Sequence, residues 1–186
     1  LKNNTSGTSN VAMGKCALCA NTTGTQNVAI GIQAMHYGTT GSSNTALGAC
    51  TLGASDINTG NDNVAVGRKS LFDNTSGASN TAVGQGSLAN NTTGGENTAV
   101  GNSAGSNITT GLGNATLGRE SGTDAVFNIT TENNRLVLGN NNISNAYIKV
   151  ALTVTSDLRD KTEIEEVPHG LEFVDKLKPV SFKFKK

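Results

Sequence analysis

The pentapeptide Asn-x-Ala-x-Gly recurs along this chain at a nearly constant interval. It occurs at 10–14, 27–31, 44–48, 63–67, 80–84 and 97–101, with the variant Asn-Ala-Thr-Leu-Gly at 114–118. The steps from one leading Asn to the next are 17, 17, 19, 17, 17 and 17 residues. Such a period is typical of a solenoid, in which each repeat forms one coil and pairs with the coils on either side of it.

Between pentapeptides the chain carries a second short apolar patch and then a turn. The patches include CAL at 16–18 and GSL at 86–88, and the turns include NTTG at 21–24 and 91–94. Asn and Gly tolerate positive φ, and Asn, Thr and Ser side chains bond nearby backbone groups. Each repeat of ~17 residues therefore has room for two short strands and two turns, which predicts an all-β β-solenoid.

Within each pentapeptide, large apolar residues alternate with small ones, as in a β-strand. We predict that the large residues form ladders inside the solenoid, and that Ala and Gly pack against another chain about a symmetry axis. Two roles remain open for the leading Asn, namely a ladder of side-chain amides along the stack or stabilisation of its own turn. The predicted interior residues are Val28, Ile30, Val64, Val66, Val83 and Val100.

Composition and charge exclude several classes of function. Only 35% of residues are hydrophobic and there is no Trp, so an ordinary globular core is hard to assemble. The formal net charge is zero and no basic stripe alternates with aromatic residues, so no nucleic-acid partner is expected. No apolar run of about 18 residues is present, so membrane insertion is not expected.

The cysteines and histidines predict no metal or cofactor site. Cys16, Cys19 and Cys50 are odd in number and match no zinc spacing, so we expect reduced thiols. Cys16 and Cys50 lie two repeats apart, roughly 9–10 Å in a stacked sheet, which is beyond the reach of a disulfide. His36 and His169 have no Cys or carboxylate at ligand spacing, which favours surface or turn roles.

The repeats resemble the head repeats of trimeric autotransporter adhesins over about residues 8–122. This resemblance implies a homotrimer of left-handed parallel β-rolls, with longer turns in this chain because its repeat is longer. We predict a repeat shaft at 1–122, followed by capping and transition strands within 123–155. The apolar stretches expected to form those strands are 127–130, 135–139 and 146–155.

Composition changes near residue 150, since residues 151–186 contain both prolines, Pro168 and Pro179. In this region the motif Ser-Asp-Leu-Arg-Asp-Lys at 156–161 precedes HGLEFVDKLKPVSFKF at 169–184. This segment resembles the start of the intramolecular chaperone autoprocessing domain of phage tail fibres, tailspikes and endosialidases. The resemblance implies a small α+β segment at 156–186 that helps three chains trimerise and then cuts itself off.

The same resemblance implies a self-cleaving dyad, in which Ser156 is the nucleophile and Lys161 its base. The scissile bond would be Thr155–Ser156, with assistance from Asp157 and Arg159. A lysine serves as base only if its pKa is lowered. From the residues alone a helix cap at Ser156, followed by a capping box at 162–165, stays open. At most one self-directed turnover is expected, with no activity on small molecules.

These observations favour a phage tail fibre or receptor-binding protein, assembled in the host cytoplasm and located in the virion. Its expected partners are two further copies of itself, other tail or baseplate proteins, and a bacterial surface receptor such as a glycan. One alternative is a bacterial trimeric adhesin head that binds a host surface. Another is an ice-binding β-solenoid, which needs Thr-x-Thr on one regular face.

Overall fold

A computed structural model of the protein describes residues 2–53 and 58–147. The chain divides into two units, Leu1–Ala146 and Tyr147–Lys186, and the strands of the described residues all belong to the first. Each strand is three residues long, and each is the centre of a pentapeptide or of its equivalent. They are β1 Val11–Met13, β2 Val28–Ile30, β3 Thr45–Leu47, β4 Val64–Val66, β5 Thr81–Val83, β6 Thr98–Val100, β7 Ala115–Leu117 and β8 Leu136–Leu138.

The strands form one parallel sheet in chain order from β1 to β8. Equivalent residues pair directly, so that Ala12 lies beside Ala29 and Ala29 beside Ala46. Most coils are therefore 17 residues long, while the step from β3 to β4 is 19 residues and the step from β7 to β8 is 21. This confirms an all-β parallel solenoid of about seven coils.

Each described coil contains one strand rather than the two that we predicted. The second apolar patch is a series of turns with left-handed residues, such as Cys16 at φ 57° and Leu18 at φ 49°. Backbone bonds still join these turns to the next coil, as between Leu18 N–H and Ala34 O at 3.0 Å. Left-handed backbone is unfavourable by about 1–2 kcal/mol for a residue other than glycine, so sequence preference alone did not indicate it.

The predicted interior of the solenoid is wrong, because the small residues face inward and the large ones outward. The central Ala of β2 to β6 is fully buried, whereas Val64 and Val83 are 38% and 36% exposed. A strand of three residues points only its middle side chain inward. The space opposite that alanine is filled by one large residue from the turn segment of each of the first five coils, namely Leu18, Met35, Leu52, Leu71 and Leu88.

The pentapeptide glycines contact the next coil of the same chain. The prediction that the pentapeptide alanines face another chain is wrong, because those of β2 to β6 are buried inside the solenoid. Gly84 has φ 133°, and a Cβ added there would lie 2.3 Å from the carbonyl oxygen of Gly101. The same close approach recurs at Gly31, where a Cβ would lie 2.4 Å from Gly48 O. Glycine is therefore required at this position by the stacking of coils within the chain.

The last described coil differs from the expected strands. Residues 127–130 are not a strand, since Asp124 accepts hydrogen bonds from the N–H groups of Val126 (3.0 Å) and Phe127 (2.9 Å) and so closes a turn. The stretch predicted at 135–139 does contain β8, which pairs in register with β7. Of the stretch predicted at 146–155, residues 148–155 lie outside the described residues.

Candidate functional site

The outer surface of the sheet is a mainly apolar face. We define the outward face as the first and third residues of strands β1 to β8. Because the strands stack in register at about 4.8 Å, this face extends for about 34 Å along the solenoid. Its exposed large apolar members are Val11, Met13, Leu47, Val64, Val83, Val100, Leu117, Leu136 and Leu138.

The third residues of the strands, from Met13 to Leu138, form an unbroken apolar row. Such a row differs from the scattered apolar residues of an ordinary surface. Leu47 is 46% exposed and Leu117 is 54% exposed, although leucine gains about 1.5–3 kcal/mol when it is fully buried. Thr45, Thr81 and Thr98 add methyl groups to the same rows. The outward face is thus suited to burial against a similar apolar surface.

The leading Asn of the pentapeptide forms a buried ladder through the solenoid. The backbone N–H of Asn80 donates to Asn63 Oδ1 (3.0 Å), and its Nδ2 donates to the same oxygen (3.1 Å) and to Gly94 O (2.9 Å). The same bond, from the backbone N–H of one leading Asn to Oδ1 of the leading Asn one coil earlier, is present at every step of the series from Asn10 to Asn114. The ladder hypothesis is confirmed, and each amide also closes its own coil.

A second and shorter set of asparagines occupies the turns. Asn21 Nδ2 donates to Asn4 Oδ1 (2.8 Å), and Asn91 Nδ2 donates to Asn74 Oδ1 (2.9 Å). Both series then stop, because the next coil has Gly38 or Ile108 at that position. As a result, Asn21 Oδ1 and Asn91 Oδ1 are buried without a hydrogen-bond partner among the described residues.

The structure brings together three side chains that sequence analysis had kept apart. The Sγ atoms of Cys16 and Cys19 and a ring nitrogen of His36 all lie within 4.8 Å of one another, and all three residues are half-buried. Burial, and to a smaller extent a hydrogen bond with Cys16, raises the pKa of the Cys19 thiol. The expectation that His36 has no cysteine at ligand spacing is therefore wrong.

One signal in the sequence could have revealed this cluster. Cys19 and His36 are 17 residues apart, which is one repeat, so they occupy the same position in consecutive coils. Cys16 lies three residues before Cys19. All three cysteines are free thiols, as predicted, and Cys50 Sγ lies 3.6 Å from Gln33 Oε1 in the intervening coil.

The residues predicted to cleave the chain lie outside the described residues. These are Thr155, Ser156, Asp157, Arg159 and Lys161. Among the residues that are described, no helix has the length and apolar character needed to cross a membrane.

By its fold, the described part of the chain is a parallel β-solenoid with a buried asparagine ladder. Residues 156–186, which follow it, match the protein family described as chaperone of endosialidase. Chaperone domains of this family are intramolecular, are typical of phage tail fibres and endosialidases, and act in trimeric fibres. The predicted resemblance of the C-terminal segment is thus confirmed. Neither the curated proteins nor the solved structures provided a match to the chain.

Proposed function

We propose that this chain is one of three identical subunits of a phage tail fibre, and that its solenoid is part of a rigid shaft used in host attachment. The observation that carries the proposal is the match of residues 156–186 to a chaperone of trimeric fibres, in a chain whose preceding residues form a stack of β-coils. The outward face supports it, because an apolar row along a fibre subunit requires a partner surface.

In the proposed trimer, the three outward faces pack against one another around the fibre axis. Three identical chains joined at the same C-terminal segment lie parallel, so equivalent coils meet at equal height. Val66 and Val83 pair directly across β4 and β5, and would be near the middle of this contact. The interface is therefore made by the valines and leucines of the pentapeptide, and the alanines remain inside each chain.

The trimer is tested with charges placed on the outward face. We expect the double variant Val66→Asp, Val83→Asp to lose the trimer, because three chains would bury carboxylates together. The matched control is Ser76→Asp, an exposed turn position outside the sheet. Molar mass from light scattering should show trimers for the wild type and the control. A trimeric double variant would contradict this interface, and a monomeric wild type would contradict the trimer itself.

We infer further that the chain cuts itself once at the Thr155–Ser156 bond. Lys161 accepts the proton of Ser156 Oγ, which attacks the carbonyl carbon of Thr155. Lys161 returns the proton to the amide nitrogen of Ser156, and the bond from that nitrogen to the Thr155 carbonyl carbon breaks. An ester then joins the Thr155 carbonyl carbon to Ser156 Oγ. Water then hydrolyses the ester to a Thr155 carboxylate and a new N-terminal Ser156. Asp157 and Arg159 assist, the latter by keeping the pKa of Lys161 low or by binding the oxyanion.

Cleavage is tested by the mass of the protein on a denaturing gel and by mass spectrometry. Wild type should yield a chain that ends at Thr155, whereas Ser156→Ala and Lys161→Ala should stay uncut. Ser181→Ala is the control within the same segment and should be cut normally. Equal lengths for wild type and Ser156→Ala would refute self-cleavage without affecting the proposed fibre.

The partners of such a fibre are other tail or baseplate proteins and a bacterial surface receptor, for which a glycan is one candidate. Purified trimer should bind the host bacterium and compete with phage adsorption, while absence of competition would oppose a role in attachment. The ice-binding alternative is not favoured, because none of the described strands carries Thr-x-Thr.

A further inference from the structure

We propose that Cys16, Cys19 and His36 bind one zinc ion that links two neighbouring coils of the solenoid. The two thiols follow β1 and the imidazole follows β2, so the ion would bridge consecutive coils. Thiolate and imidazole are ligands that select zinc over hard cations such as magnesium or calcium. This inference does not depend on the proposed trimer or on self-cleavage.

The backbone around the three residues holds them at a fixed spacing. Leu18 N–H donates to Ala34 O (3.0 Å) and Ala20 N–H donates to His36 O (3.1 Å), so the two coils are joined on both sides of Cys19. These bonds place residue 19 beside residue 36. The cluster is therefore a property of the stacked coils and does not require a loop to close around the metal.

The distances fit a tetrahedral ion after small side-chain movements. Zinc bonds of about 2.1–2.3 Å place neighbouring ligand atoms about 3.4–3.8 Å apart. The three atoms of the cluster lie within 4.8 Å of one another, and rotation about χ1 of the two cysteines can shorten that spacing. Three protein ligands leave the fourth position for water. All three groups are half-buried, so metal has access from solvent.

Each cysteine is replaced by the residue that occupies the equivalent position in another coil of this chain. Serine occupies the position of Cys16 in a later coil, at Ser103, with φ 53° against 57° for Cys16. Serine also occupies the position of Cys19 in that coil, at Ser106. Cys16→Ser and Cys19→Ser should therefore fold normally and remove only the ligand.

The histidine variant and the control follow the same logic. Alanine stands at the position of His36 in a later coil, at Ala89, so His36→Ala is compatible with the solenoid. Cys50→Ser is the matched control, because Cys50 occupies the position of Cys16 two coils further on, and its sulfur contacts Gln33. Circular dichroism should be the same for all four variants.

The experiment measures zinc bound to the full chain under reducing conditions, by elemental analysis and by competition with a chromophoric chelator. Wild type and Cys50→Ser should bind about one zinc per chain, and their Tm should be higher with zinc than with chelator. Loss of an outer-sphere partner lowers metal affinity about 10–100-fold, so removal of a direct ligand should lower it by at least about 100-fold. Cobalt in place of zinc should show thiolate-to-metal charge-transfer absorption.

Three results would overturn the proposal. The first is a wild-type chain that binds no more zinc than the cysteine variants. The second is unchanged affinity in His36→Ala, which would leave a two-thiol site without the link between coils. The third is a Cys16–Cys19 disulfide in the purified chain together with no zinc binding after reduction, which would make the pair a redox couple instead of a metal site.

Discussion

Replacing Asn80 with alanine should remove one rung of the buried ladder and strongly destabilise the solenoid. Asn97 N–H would lose its acceptor, Asn80 Oδ1 (3.0 Å). Gly94 O would lose Asn80 Nδ2 (2.9 Å) but keep a second donor, Asn91 Nδ2 (3.0 Å). A buried group left without a partner costs about 1–3 kcal/mol. Because only Asn97 N–H is left without a partner, we expect the free energy of unfolding to fall by about 1–3 kcal/mol per chain.

Denaturant unfolding measures the total effect, and hydrogen exchange locates it. In Asn80→Ala the amide of Asn97 should exchange much faster, while Thr98 N–H, which donates to Asn114 O (2.8 Å), should remain protected. Asn90→Ala is the control, because Asn90 is exposed and its change should stay within about 0.5 kcal/mol. Unchanged protection of Asn97, or a loss equal to that of the control, would refute the ladder as a stabilising element.

Three further perturbations test the fold. Gly84→Ala should lower the free energy of unfolding by at least about 3 kcal/mol, because backbone strain adds to a clash with the next coil. In Gly86→Ala the new Cβ would meet only Ser103 Oγ, at 3.5 Å, so the loss should be about 1–2 kcal/mol. Denaturant titration measures both losses. Gly38→Asn should raise the free energy of unfolding by about 0.5–1.5 kcal/mol, because the new side-chain amide can donate to the unpartnered Asn21 Oδ1. Unchanged or lower stability would contradict this and would point to a clash with the nearby Met35 side chain. Hydrogen bonds from Phe127 and other backbone N–H groups lower the pKa of Asp124 below its ordinary 3.8. The ionised carboxylate therefore stabilises the fold above pH 3.8, and this stabilisation is lost as the pH falls below that value. The amide chemical shift of Phe127 should follow the titration of Asp124, and in Asp124→Asn it should not change with pH over this range.

The period, the coil length and the strand within each pentapeptide were predictable from the sequence, whereas the second strand of each coil and the strand at 127–130 were predicted wrongly. Each leading Asn and each closing Gly has a role that no other residue fills, since the amide bonds two coils at once and the glycine meets the next backbone. Repetition multiplies that signal, so the parallel register follows from the 17-residue step. The C-terminal chaperone segment was also identifiable, because its motif at 156–161 is followed by a matching segment.

The tertiary structure alone decided which face of each strand is inside. Alternation with period two separates two faces but is the same pattern whichever face is buried. Left-handed residues such as Cys16 fold the second patch back, and they direct Leu18 toward the alanines and leave the valines outside. The same stacking placed Cys19 beside His36, a proximity that depends on coils meeting in space. The sequence therefore determined that this chain stacks, and only the path of each coil determined what the stack buries and what it presents.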